Sequence, residues 1–372
     1  MIVTGATTAG GGEKQALELA EGLIGRGHQV MFVAPGGGDV LEAARARGCE
    51  TTEVATFSPL ASVTRRNLAR LIVEWKPDIV HAHGPRAAFA LRRLDADVTK
   101  RLVYTIHGIH AGHGPLGSVK LAVERHDVTK VAAFIVTCKA DLETGADLGF
   151  LDRGKTQVIY NGLADPHLAD LGVFRAENGI APDTVLIAHV GRISPPKDHP
   201  TLLAAFDEAW RRCSAPSKPH LVMVAAGTYG QRERLLRAIR AMSSAHDITV
   251  LAALDDLAPL YTDADILVLS SKWEARPYVL VEAMQYRCAV VSTKVGGVGE
   301  VVEHEATGLL VPPSKPTLLA DALLALVEQR DLRDRLAHAG HTFITGRFPL
   351  DTMVDQTIEV YRHVIEATGP ST

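Results

Sequence analysis

Two glutamates, Glu274 and Glu282, flank Pro277 in the stretch WEARPYVLVEAMQ. Proline has no amide hydrogen to lose at a helix's first position, so the sequence predicts a helix starting at Pro277, with Glu274 in the loop before it. The unpaired amides of Tyr278 and Val279, reinforced by the helix macrodipole, then make a seat for a phosphate. Glu282 falls roughly 7 to 8 Å further along the axis. A nucleotide's ribose could lie at that remove from its phosphates, where a carboxylate accepts both hydroxyls, and Glu274 is left for another polyol. Taken alone, such a pair is more often a solvated loop acid and an ordinary helix-face acid.

A second segment points to the same chemistry. HVGRISPPKDHPTLL places Arg192 and Lys197 directly after an apolar run, separated by a Ser-Pro-Pro segment that holds the loop extended. Arginine grips a phosphate bidentately and lysine adds a compact charge, so together they can neutralise a diphosphate leaving group without a metal. An exposed basic loop is the alternative. Near the amino terminus Gly10, Gly11 and Gly12 precede a helical pattern, where backbone can approach a ligand closely. The segment is neither a Walker loop, since Lys14 follows Glu13 with no Ser or Thr next, nor a G-x-G-x-x-G turn.

Histidines gather after apolar runs: His81 and His83, then His107, His110 and His113. The three-residue spacing of the last set could suit metal ligands, but its glycines and proline leave the geometry indefinite and no acid or cysteine stands beside it. A hydrogen-bonding His107 in a cleft is preferred. Asp95 with Asp97, and Asp263 with Asp265, read as structural, because the second pair opens a strand instead of following its carboxyl end.

Those residues need a scaffold, and 372 residues suit two domains of ordinary size. Short β-rich runs alternate with longer helical patterns, the signature of parallel sheets wound with helices. In the first half the candidate strands are 1–5, 30–34, 78–82, 102–106, 133–137 and 156–160. In the second they are 185–191, 220–227, 248–252, 265–270 and 288–292. The stretch 161–183, rich in glycine, proline and aspartate, marks the boundary. A last helical pattern follows Pro349 and closes the chain. In open parallel sheets ligands bind beyond the carboxyl ends of the strands, which is where the segments above lie.

Bulk properties exclude several classes. A net charge of −4 gives no field for nucleic acid. Four cysteines without paired spacing, Cys49, Cys138, Cys213 and Cys288, fit reduced thiols in the cytoplasm. No basic segment leads into an apolar one at the amino terminus, and no window approaches the roughly 18 apolar residues of a membrane span. The segment ASVTRRNLARLIVEWK could lay Arg65, Arg66 and Arg70 on an anionic membrane surface, but a helix covering the first sheet is the favoured reading.

Taken together, the chain resembles glycosyltransferase family 4 nearly end to end. The family's glutamate, seven residues and second glutamate match Glu274 to Glu282 and run on into EAM. Its Gly-Arg…Lys segment matches GRISPPK, its NG before the linker matches Asn161 and Gly162, and GGVGEVV with TGLLVPP match the run that follows. The resemblance implies an α/β GT-B fold: two facing Rossmann-like, doubly wound parallel-sheet domains with a deep interdomain cleft. Residues 1–165 with 350–372 would form the acceptor-side domain and 166–349 the nucleotide-sugar-binding domain.

It implies also that Arg192 and Lys197 bind the donor diphosphate, Glu282 the ribose hydroxyls and Glu274 those of the donor sugar. His107, in YTIHG, falls at the family's cleft histidine, and Gly11 and Gly12 at its glycine loop. Catalytic roles then go to His107, Glu274, Arg192 and Lys197. Donor binding adds Arg276, Pro277, Tyr278 and Val279, and the acceptor-side candidates are Glu13, His83, His110 and Asn161. The family transfers a sugar with retention and without metal, commonly explained by a front-face displacement in which the departing phosphate helps to deprotonate the acceptor. Where the family often has Gly-Phe-Gly, this chain has Ala275, Arg276 and Pro277, so Arg276 bears on donor choice. Its glycine and proline after EAM are replaced by Arg287 and Ala289.

The expected function is a retaining, metal-independent transfer of a hexose or N-acetylhexosamine to a saccharide or lipid-linked glycan acceptor in surface polysaccharide or lipopolysaccharide synthesis. The co-substrate is a nucleotide-diphosphate sugar, UDP ahead of GDP, with no other cofactor. The place is the cytoplasm, with peripheral contact at the inner face of the membrane left open. A transferase of small-molecule biosynthesis and a catalytically silent nucleotide-sugar-binding subunit are the alternatives. An oxidoreductase is disfavoured by the missing dinucleotide glycines.

Overall fold

The computed structural model describes residues 1–8, 10–54, 62–109, 117–126, 128–167 and 169–369. The chain divides into two compact units, 1–162 with 348–372, and 163–347.

The first unit holds a parallel sheet of seven strands: β1 (Ile2–Thr4), β2 (Met31–Ala34), β3 (Glu50–Glu53), β4 (Val80–His83), β5 (Leu102–Ile106), β6 (Ala133–Val136) and β7 (Thr156–Val158). Their order is β3-β2-β1-β4-β5-β6-β7, so the winding reverses between β1 and β4. Central strands are buried throughout, as both faces of such a sheet are covered by helices. β3 was not expected. Its sequence ETTE has no apolar run, and as an edge strand it buries none of its four residues.

Helix Ser62–Trp75 belongs to the sheet's cover, for Leu68, Leu71 and Ile72 are buried in the same core as Val80, Ala82 and Leu102. The terminal helix Leu350–Thr368 packs on helix Gly11–Gly25 in the same unit. A Cβ on Gly22 would fall 2.4 Å from a methyl of Val354, so only glycine allows that approach. Arg26 pins the pair through Asp351 and Asp355, at 3.0 and 2.7 Å.

The second unit holds six parallel strands: β8 (Leu186–Val190), β9 (His220–Val224), β10 (Ile248–Leu251), β11 (Ile266–Leu269), β12 (Ala289–Thr293) and β13 (Leu309–Val311). The order β10-β9-β8-β11-β12-β13 reverses between β8 and β11. The short edge strand β13 is again one that the apolar runs did not mark. Asp263 accepts the amides of Gly172 and Arg175, and Asp265 accepts that of Leu186 and pairs with Arg175. That aspartate pair therefore ties the unit together, as its place before a strand suggested. Among the described residues no helix is long and apolar enough to cross a membrane.

Candidate active site

In a doubly wound sheet the crevice lies where the strand order reverses, because the two adjoining loops diverge to opposite faces. The second unit puts its candidate residues on those two loops. Arg192 and Lys197 follow β8, and Glu274 follows β11, its hydrogen-bonded neighbour.

The two loops are sewn together by backbone. The amide of Lys272 donates to Pro196 O at 2.7 Å, and Ser270 Oγ donates to Lys197 O at 2.8 Å. Across this seam Lys197 Nζ meets Glu274 Oε1 at 2.5 Å, and Ser271 Oγ donates to the same oxygen at 2.6 Å. Arg192 is exposed and makes no ion pair among the described residues. One cation is thus committed to a carboxylate while the other is open to a ligand.

A third loop braces the second. Thr293 Oγ1, at the end of β12, donates to Ser271 O at 2.6 Å, and the amide of Gly297 donates to Ala275 O at 2.8 Å. Gly296 sits at φ +48°, and a Cβ there would fall 1.8 Å from Glu274 O. Only glycine tolerates both that backbone and that approach.

The helix Tyr278–Gln285 begins one residue later than the sequence suggested. Pro277 is its cap, with φ −71° and ψ 119° in the extended region, and Tyr278 is the first helical residue. The amides of Tyr278 and Val279 remain in the first turn, where no carbonyl precedes them in the helix. Glu282 lies on this helix, and Tyr261 OH donates to its Oε2 at 3.0 Å. Tyr278 is buried, Val279 half-buried, and Arg276 is only 4% exposed, so its guanidinium lies within the loop's packing.

The first unit gathers a second group at the ends of β4, which adjoins its reversal point, and of β5. His83 ends β4, and His107 follows β5. His83 Nδ1 lies 3.1 Å from His107 Nε2, with the rings stacked at 5.3 Å. His81 lies beside them, 4.2 Å from the His83 ring, and is held by Tyr361 OH at 2.6 Å and Thr105 Oγ1 at 2.7 Å. Burial keeps all three neutral: it lowers His81 and His83 well below the usual histidine range and His107 to about 4.

Gly12 makes room for this group, since a Cβ would stand 2.9 Å from the His107 ring. Gly11 opens helix Gly11–Gly25 beside it. Glu13 caps that helix, accepting from the Gly10 amide and Thr4 Oγ1, both at 3.2 Å. Asn161 is buried just after β7. His110 and His113 lie outside the described residues.

The sequence reading missed Ser270, Ser271, Tyr261 and Thr293. Paired serines after a buried strand were a usable signal for the first two. Tyr261 had none, because 21 residues separate it from Glu282.

Comparison with known proteins places the chain in a family. The model for Glycosyltransferase Family 4 matches residues 9–165, and that for Glycosyl transferases group 1 matches 172–343. An uncharacterised glycosyltransferase of Methanocaldococcus jannaschii is 26% identical over 374 residues, covering 94% of each chain. The crystal structure of Anabaena HepE with UDP and glucose superposes with a TM-score of 0.85 at 21% identity, over 97% of this chain and 99% of that one. The structure of WaaG, a glycosyltransferase involved in lipopolysaccharide biosynthesis, gives 0.74 at 16% identity, over 97% and 99%. The two Rossmann-like parallel-sheet units are those of the GT-B fold.

Proposed function

The chain belongs to glycosyltransferase family 4, a retaining family of nucleotide-sugar enzymes, and we propose that its second unit receives the donor through the β8 and β11 loops. The observation that carries this reading is the ion pair of Lys197 with Glu274 ahead of a helix start, with an exposed Arg192 that makes no ion pair among the described residues on the same loop as Lys197. In it Arg192, Lys197 and the amides of Tyr278 and Val279 hold the diphosphate. Glu282 accepts the ribose hydroxyls, and Glu274 orients the transferred hexose or N-acetylhexosamine. Arg276 acts from within the loop, by shaping it around the donor.

The chemistry follows from charge. As the bond from the sugar's anomeric carbon to the diphosphate breaks, negative charge grows on the leaving oxygen, where a lysine, an arginine and a helix end stabilise it most. The acceptor oxygen bonds to the same carbon on the same face, and its proton passes to the departing phosphate. No side chain becomes covalently attached. His107, carried by the first unit between Gly12 and His83, is proposed to hydrogen-bond the donor sugar, with Glu13, His83, His110 and Asn161 on the acceptor side.

UDP-sugar is the favoured donor, in line with the UDP and glucose bound by HepE. A saccharide or lipid-linked glycan is the favoured acceptor, in line with WaaG's place in lipopolysaccharide biosynthesis. That assignment puts the enzyme in the cytoplasm, at or near the inner face of the membrane. A calorimetric screen of UDP, GDP and ADP, followed by transfer assays with lipid-linked and small soluble acceptors, tests it. UDP should bind tightest, and Arg192→Ala should weaken it at least 10-fold. Binding of none of the three, or equal binding to the variant, would overturn the reading, and transfer to small soluble acceptors alone would move the enzyme to small-molecule biosynthesis.

A further inference from the structure

His83 is 3% exposed, and its Nε2 has no hydrogen-bond partner among the described residues. Its other nitrogen, Nδ1, lies 3.1 Å from His107 Nε2. These two facts constrain where the protons sit. A neutral imidazole carries one N–H, so exactly one ring donates in this contact. If His107 donated, the proton of His83 would be forced onto its buried Nε2, an N–H with no acceptor. If His83 donates from Nδ1, its Nε2 is a bare lone pair instead. Among buried backbone groups orphaned N–H donors are rarer than under-satisfied acceptors, and the same preference is taken here for the ring nitrogen.

We infer that His83 is a positioning residue that donates Nδ1–H to His107 Nε2 and so holds His107 as the Nδ1–H tautomer. His107 then offers its remaining nitrogen as a donor, with no hydrogen bond to that atom among the described residues. It meets an oxygen lone pair, such as that of a sugar hydroxyl, and cannot accept a proton there. This deepens the role proposed above for His107 and rests on it only where the ligand is concerned.

The surroundings fix the ring as well as the proton. Gly12 lies beside the His107 ring, close enough that an added methyl there would stand at 2.9 Å from it. On the other side His83 is backed by His81, itself anchored by Tyr361 from the terminal helix and by Thr105 from β5. The terminal helix thereby reaches the site through one hydroxyl, although it lies 278 residues beyond His83 in the chain, counted to Tyr361.

The test is two-bond ¹H–¹⁵N correlation NMR on enzyme labelled at histidine, with His107 assigned by its loss in His107→Asn. The wild type should show His107 protonated at Nδ1. His83→Phe should release it to the Nε2–H form and lower kcat about 10-fold or more, with UDP affinity unchanged. His83→Asn, whose side-chain amide can donate from nearly the same place, should restore both in part. UDP affinity and thermal melting identify a variant that has merely unfolded. An Nε2–H signal in the wild type, or a His107 spectrum unmoved in both His83 variants, would overturn the inference. A tautomer that shifts as described while turnover stays unchanged in both His83→Phe and His107→Asn removes the proposed sugar contact instead, because the proton's location is read without substrate.

Discussion

Lys197 Nζ lies 2.5 Å from Glu274 Oε1, with the two side chains only 20% and 14% exposed, although 77 residues separate them in the chain. A pair so far withdrawn from water is screened little, and removal of either partner leaves a charge without its counterpart. Because Ser271 also donates to that oxygen, the carboxylate is oriented as well as neutralised.

Lys197→Ala and Glu274→Ala should therefore each lower kcat/KM about 10- to 100-fold, the factor expected for a charge-assisted hydrogen bond of about 1.5–3 kcal/mol. The double variant should lose less than the product of the two. A double-mutant cycle on steady-state rates measures this, and strict additivity would show that the two act independently.

Tyr261→Phe removes one hydroxyl from Glu282 and leaves the ring packing in place. Nucleotide binding should weaken about 3- to 10-fold, the effect of roughly 1 kcal/mol. The rise should appear in KM with kcat nearly unchanged, since the ribose is bound equally in ground and transition states. Comparing UDP with its 2′-deoxy form by calorimetry checks the site: the wild type should discriminate, and Glu282→Ala should not.

Gly296→Ala places a methyl 1.8 Å from the Glu274 carbonyl, at a backbone angle that strains any other residue. The Glu274 loop must move, so activity should fall at least 10-fold and the melting temperature should drop. Gly299→Ala is the control, because nothing lies within 4 Å of its added carbon. Equal behaviour of the two variants would show that the loop does not depend on this contact.

Acid should destabilise the protein well before its carboxylates protonate. Burial lowers His107 and His199 to about 4 and His189 to about 3, while the unfolded chain takes up protons near 6.5. Between those values the unfolded state binds more protons, so stability rises with pH. It is complete above about 6.5 and is lost as pH falls towards 4, at up to about 1.4 kcal/mol per pH unit for each histidine. Melting temperatures from pH 7.5 to 4.5 should trace this decline. His189 donates Nδ1–H to Val268 O at 3.0 Å, so His189→Asn can keep that bond and should flatten the profile. An unchanged slope would mean that other groups carry it.

Much of this molecule was legible one residue at a time. The alternation of apolar runs with helical patterns is a local property, and it located every strand that is buried on both faces. It missed β3 and β13, both at sheet edges: β3 has no apolar residue to reveal it, and β13 is an apolar run of only three residues. Helix Ser62–Trp75 was readable for the same reason, its buried residues recurring on one face. Pro277 marked a helix start because its chemistry is local, and the structure moved that start by a single position.

Residue types and spacing by themselves determined the family, the alternating α/β architecture and the short roster of charged and glycine positions after the strands. Only the tertiary structure decided which of them touch. Nothing in the chain's order says that Lys197 takes Glu274, that Tyr261 takes Glu282, or that Tyr361 braces His81 behind His83 and His107. Those partners meet because β8 lies beside β11 and because the terminal helix returns to the first unit. Strand order is set by burial summed over a whole sheet, a long-range quantity that no local pattern contains.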